Sequence, residues 1–142
     1  MPVSVKVAAG LRADGKRVKK LAEAILEDLG LDDSELSVLL TDNAGIRELN
    51  RKYRRMDRPT DVLSFPMDDT EMLGDVIISV EKARTQAKEF GTGFNGEMAR
   101  LLIHGILHLV GHDHVRGGRQ AARMREKEEE LLQLSTGLWP DL

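Results

Sequence analysis

The chain has 142 residues, 41% of them hydrophobic, which is enough for one proper core and suggests a single domain over residues 1–142. It contains no cysteine, so disulfides and thiolate metal sites are excluded, and its one tryptophan and one tyrosine argue against a wall of aromatics for stacking bases. The net charge of −3 expresses no global preference for nucleic acid. The N-terminus lacks the basic and apolar regions of a signal peptide, and no stretch has the length of a membrane span, so a cytoplasmic protein without a membrane partner is expected.

Residues 2–8 alternate, with Val3, Val5 and Val7 on one side, and read as a first strand. A helix starting near Asp14 runs to Leu29 on an apolar face of Val18, Leu21, Ala22, Ile25, Leu26 and Leu29, with Gly30 as its stop. ELSVLLT at 35–41 reads as a second strand, and the strand–helix–strand order predicts that the first two strands are parallel. Thr41 is placed to cap a helix through Arg54 that turns Ile46, Leu49 and Tyr53 to the core. A loop over 55–60 follows, then a strand from Val62 to Phe65 closed by Pro66, an acidic turn, and a strand at 73–79 that forms an antiparallel hairpin with it. Ser79 caps a helix to about Phe90, Gly91 ends it, and Asn95 is the cap expected for the next helix. Glycines 117 and 118 open a loop, and a last helix covers about 119–134, packing through Ala122, Met124, Leu131 and Leu134 with Lys127–Glu130 in solvent. The fold class predicted is α+β: a small mixed sheet of about four strands packed with about five helices.

The stretch NGEMARLLIHGILHLVGHDH at 95–114 holds all four histidines. Its helix is apolar all round apart from a stripe of Glu97, Arg100, His104 and His108, and a helix of that kind is buried. His104 and His108 are one turn apart, the spacing at which two imidazoles hold one metal ion. Gly111 can adopt a left-handed conformation and turn the chain so that His114 reaches the same ion. A lone histidine on such a face is usually a hydrogen-bonded core residue, but the full pattern H-x-x-x-H-x-x-G-x-x-H supplies ligands and turn together. Three histidines leave one position open, the arrangement of a catalytic zinc, so one Zn2+ per chain is expected at the end of a buried central helix. Zinc is preferred over nickel or iron, although all-histidine sites suit several of these ions.

Such a zinc acts as a Lewis acid and suits hydrolysis of a phosphodiester, an amide or an ester. The pattern is close to the metzincin motif H-E-x-x-H-x-x-G-x-x-H, but the position of the glutamate base is Gly105, which weakens a peptidase reading. A basic block, Arg47, Arg51, Lys52, Arg54, Arg55 and Arg58 against Glu48 and Asp57, is compatible with RNA and equally with a solvated helix face. Asp61, Asp75 and Asp113 are candidates either to orient a ligating histidine or to cap a turn.

The string HGILHLVGHDH, with NRKYRRMDRPTDVLSFP at 50–66 and LGDVIIS at 73–79 before it, resembles the signature blocks of the YbeY family of bacterial endoribonucleases, in that family's order and over nearly the whole chain. The resemblance implies a zinc-dependent endoribonuclease specific for single strands. It implies action in ribosomal RNA maturation, notably at the 3′ end of 16S rRNA, and in ribosome quality control. His104, His108 and His114 match the family's zinc ligands and Arg54 its functional arginine, whose planar fork suits phosphate oxygens; His112 is not expected to be a ligand. From the residues alone, Arg54 is equally a surface residue or a partner of Asp57. Implied partners are precursor rRNA, the small ribosomal subunit, and ribosomal proteins or an assembly GTPase, but not DNA. Attack by water or by the RNA's own 2′-hydroxyl stays open. The alternative is a non-catalytic ribosome assembly factor with structural zinc, and a weaker one a metallopeptidase.

Overall fold

A computed structural model describes residues 3–67, 71–111 and 118–138. Its elements in chain order are β1 (Val3–Val7), α1 (Gly15–Asp28), β2 (Glu35–Thr41), α2 (Asn43–Arg54), β3 (Val62–Pro66), β4 (Met72–Ser79), α3 (Val80–Phe90), α4 (Phe94–Leu109) and α5 (Gly118–Leu138). The four strands form one mixed sheet in the order β1-β2-β4-β3. β1 and β4 both run parallel to β2, and β3 runs antiparallel to β4, so the predicted parallel pair and hairpin are both present.

The register sorts the side chains into two faces because successive strand residues point to opposite sides. Val38, Val76 and Ser64 stand in line across the sheet on one face, next to the line of Leu40, Ile78 and Val62. That face joins Leu21, Ile25 and Leu26 of α1, Ala83 of α3 and the apolar residues of α4 in the main core. Leu63 and Ile77 point to the other face, where Ile46 of α2 completes a smaller cluster. α5 adds Met124 and Leu131 to the main core from beyond α4.

Caps set most of the helix boundaries. Asp14 Oδ1 accepts from the backbone of Arg17 at 3.1 Å, and Ser79 Oγ from that of Lys82 at 3.2 Å, both as expected. Two expected caps are different residues. α2 is capped by Asp42, which accepts from Gly45 N at 2.8 Å, because Thr41 is still paired in β2 opposite Ser79. α4 begins behind Gly93, and Asn95 lies inside its first turn. α5 runs to Leu138, past the predicted end near 134, and its inner face uses Ser135, fully buried, in place of Leu134, which is 37% exposed. Tyr53, expected in the core, is 60% exposed, since the last turn of α2 passes the edge of the sheet. The acidic turn after Pro66, apart from Met67 and Glu71, and Gly117 lie outside the described residues; Gly118, expected to open a loop with it, is instead the first residue of α5.

α4 is seated on the sheet with no gap at Gly105. A Cβ built there would lie 2.7 Å from Val76 Cγ1 and 3.2 Å from Val62 Cγ2. Both are branched at Cβ and stiff, so they cannot swing aside. Ser64 Oγ bridges the same junction by donating to the Gly105 carbonyl at 2.9 Å. Gly137 on α5, by contrast, has open space around the same position. Alanine in a helix interior gains about 1 kcal/mol over glycine, and over-packing costs about 1–3 kcal/mol. Gly105→Ala is therefore expected to lower stability and Gly137→Ala to raise it slightly, in urea titrations followed by circular dichroism; a stabilised Gly105→Ala would show that α4 lifts easily from the sheet.

Candidate active site

The polar stripe of α4 divides into two parts. Glu97 is 3% exposed and is covered by Arg100, whose Nε donates to Glu97 Oε1 at 2.9 Å. That hydrogen bond, against the cost of burial and with the carboxylate's charge behind it, holds the Arg100 guanidinium above its ordinary pKa. One turn further on, His104 and His108 line a cleft of about 530 Å³ with Tyr53, Arg54, Asp61 and Ser64. Their rings meet edge-on with centroids 4.5 Å apart. α4 then ends at Leu109, and Gly111 takes φ +90°, a conformation that glycine adopts without strain.

His104 has a partner that the sequence reading did not name. Its Nδ1 lies 3.0 Å from Glu128 Oε1 of α5. The stretch 127–130 was expected in solvent, yet Glu128 turns inward and Lys127 reaches across to Asp28 of α1 at 2.9 Å. A signal for this was present: Glu128 follows Met124 by four residues and precedes Leu131 by three, so it sits on the buried stripe of α5. A carboxylate on one nitrogen of a histidine orients the ring and directs the other nitrogen to a ligand, the arrangement typical of metal sites.

Arg54 is the last helical residue of α2 and is exposed on the opposite wall of the cleft. The chain leaves α2 through Arg55 at φ +57°, a left-handed conformation unusual for arginine. Asp57 pairs with Arg47, not with Arg54, at 2.8 Å. That guanidinium, by its hydrogen bond and then its charge, holds Asp57 below the usual carboxylate range. Arg51 is engaged by Glu48, so among the described residues Arg54 is left without an ion-pair partner. Asp61 lines the cleft, with Oδ1 accepting from Val62 N at 2.8 Å. Asp75 does not line it: it points to the α2 face of the sheet beside Ile77, away from the histidines. His112, Asp113 and His114 lie outside the described residues, and among the described residues no group of three potential metal ligands converges.

A family model described as "Endoribonuclease YbeY" matches residues 7–135. The chain belongs to the YbeY family. Curated YbeY endoribonucleases that it resembles include that of Aquifex aeolicus, 48% identical over 120 residues and covering 82% of this chain and 80% of the relative. That of Geobacter metallireducens is 50% identical over 123 residues, covering 81% and 82%. Among solved structures, this YbeY-family chain is similar to the solution structure of a Thermotoga maritima protein, with a TM-score of 0.74 at 30% identity over 97% of this chain and 91% of that one.

The Glu97–Arg100 pair underlies the cleft, since it fixes the turn of α4 before His104. Arg100→Ala leaves a carboxylate buried without its main donor, which costs about 1–3 kcal/mol, whereas Glu97→Gln in the same chain removes the stranded charge. Thermal melts are expected to show a lowered midpoint for Arg100→Ala and partial recovery in the double variant; no recovery would mean that the loss comes from packing alone.

Proposed function

We propose that the cleft between α4 and the end of α2 is the cutting centre of a zinc-dependent endoribonuclease. Family membership gives the reaction class, cleavage within an RNA chain in ribosomal RNA processing. The observation that supports this site is the meeting of His104 and His108 on one wall with Arg54, without an ion-pair partner among the described residues, on the other. The donor set suits zinc: nitrogen ligands in a chain without cysteine, and a carboxylate on His104 Nδ1 that is consistent with Nε2 as the ligating nitrogen. His104, His108 and His114 are the proposed ligands of one ion, at the end of the buried helix. When bound, the ion supplies Lewis-acid polarisation of a phosphoryl oxygen or of an attacking oxygen.

The protein's own residues do the rest. Arg54 offers a planar fork to the phosphate oxygens and offsets charge that develops on them during cleavage. Glu128 keeps the His104 ring from rotating. Gly105 leaves the ion without the adjacent glutamate of the metzincin peptidases, and the sheet leaves no room to add one. An anionic backbone therefore meets less repulsion at the site. The substrate read from these features is single-stranded precursor rRNA, cut near the 3′ end of the small-subunit RNA in the cytoplasm by one domain of residues 1–142. The small subunit and its proteins, with an assembly GTPase, are the proposed setting. Among the described residues no helix is long and apolar enough to cross a membrane.

The test uses an end-labelled small-subunit rRNA precursor fragment that carries its 3′ extension. Wild type is expected to cleave it and to hold about one zinc per chain by elemental analysis, while His108→Ala, purified identically, does neither. Arg54→Ala is expected to bind the fragment and cut it about 100-fold or more slowly. Glu128→Gln is expected to keep the fold and bind zinc about 10–100-fold more weakly. Equal cleavage by wild type and His108→Ala would overturn the site. No cleavage by a zinc-loaded wild type, on the fragment or on whole subunits, would favour a ribosome assembly factor with structural zinc.

A further inference from the structure

A second basin opens on the far side of Arg54. It has about 380 Å³ and is lined by Arg54, Arg58, Lys82, Asn50, Gln86 and Asp61 among others. Arg54 and Asp61 also line the histidine cleft, so the two spaces share a wall. Three cations face one carboxylate in this basin. The carboxylate is already occupied: Asp61 accepts from Val62 N at 2.8 Å and Thr60 Oγ1 at 3.4 Å, and its other oxygen from Gln86 Nε2 at 3.3 Å. Among the described residues Arg54, Arg58 and Lys82 engage no carboxylate, unlike Arg47 and Arg51 on the same helix as Arg54.

The wall carries a second kind of unmet demand. Asn50 is 2% exposed and its Nδ2 donates to the Arg58 carbonyl at 2.9 Å, which ties the 55–60 loop to α2. Among the described residues its Oδ1 accepts nothing, and neither does Gln86 Oε1. Buried carbonyl oxygens of side chains normally have a donor, and both of these residues line the basin, so its wall carries unmet polar demand close to the three cations. Three cations without a carboxylate among the described residues, on a polar wall shared with the histidine cleft, match the phosphate of a nucleotide.

We propose that this basin is a subsite for the RNA nucleotide adjoining the scissile phosphate, with Arg58 and Lys82 holding its backbone phosphate. The strand then crosses Arg54 from the histidine cleft into the basin, and Asn50 acts as a positioning residue through the loop that carries Arg58. The proposal rests on the endoribonuclease reading above for its substrate, though not for its binding test.

The test compares zinc-loaded full-length protein, Arg58→Gln/Lys82→Gln, and a charge-matched control, Lys20→Ala/Lys88→Ala, on surfaces away from both spaces. Binding of a fluorescein-labelled single-stranded RNA is read by stopped-flow anisotropy within the first seconds, at several salt concentrations, and cleavage is followed in the same mixtures. The glutamines keep much of the aliphatic stems, and thermal melts confirm folding; if the pair does not fold, Arg58→Gln and Lys82→Gln are measured singly, each expected to weaken binding relative to the control, and Arg58→Lys/Lys82→Arg, which retains both charges, shows whether charge suffices. Loss of the contacts to this phosphate is expected to weaken binding about tenfold or more and to reduce the slope of log affinity against log salt by about 0.7, while the control and the charge-retaining pair stay near wild type. The rise in KM is expected to exceed any fall in kcat. Binding and salt slope equal to those of the control would overturn the subsite, even if cleavage proceeds. Binding that depends on Arg58 and Lys82 without any cleavage would keep the subsite and sink the endoribonuclease reading instead.

Discussion

The cleft exists because α4 lies on the β3–β4 hairpin without a side chain between them at residue 105. At 3.6 residues per turn, if residue 105 faces the sheet, residues 104 and 108 stand about 100° and 60° round the helix on the same side. The contact that buries the helix thus also aims both histidines at one edge. A larger residue at 105 would push the helix out from Val62 and Val76 and move both rings relative to Arg54, which is fixed to the opposite face of the sheet through α2. Packing energy in the main core and ring placement in the cleft are therefore two consequences of one close approach, reinforced by the Ser64 hydroxyl on the Gly105 carbonyl.

Most of the scaffold was readable because short-range chemistry decides it. Strand alternation in β1 and β2, the Asp14 and Ser79 caps and the glycine behind α3 each act within a turn or two of chain. The misreadings arise where distant structure chooses between equal local options. Thr41 and Asp42 are both good caps, and the pairing of β2 with β4 claims the first. Tyr53 continues the Ile46–Leu49 stripe, but the sheet ends before it, leaving only the edge of Phe65, with ring centroids 5.5 Å apart. Gly93 rather than Asn95 starts α4 although it offers no side-chain cap, so burial of the helix outweighs that hydrogen bond.

The site shows the same division. The spacing of His104 and His108 is local, and the helix brings the two together without help. The Glu128 contact spans 24 residues and depends on how α5 crosses α4, which no local pattern states. Even so, a glutamate on the same stripe as Met124 and Leu131 marks a place where the apolar face must meet something polar. Asp61 and Asp75 looked alike in sequence, each beside a strand, and the two-residue period of the sheet separates them. Asp75 shares the α2 face with Ile77, while Asp61 precedes β3 at the rim between the two basic spaces.

An acidic protein that handles a polyanion must place its cations rather than accumulate them. The 47–58 segment does this by neutralising some of its arginines at home. Arg47 and Arg51 spend their charge on Asp57 and Glu48, on an exposed surface where such pairs contribute little to stability. Their effect is on selection: two of the arginines on α2 are neutralised, while Arg54 at its end is not. There Arg54 and Arg58 flank the wall shared by the two spaces, and Lys82 joins them from α3. A surface read as one undifferentiated basic block in the sequence thus divides in the fold, with Arg47 and Arg51 paired on α2 and Arg54 and Arg58 lining the spaces beside the histidines.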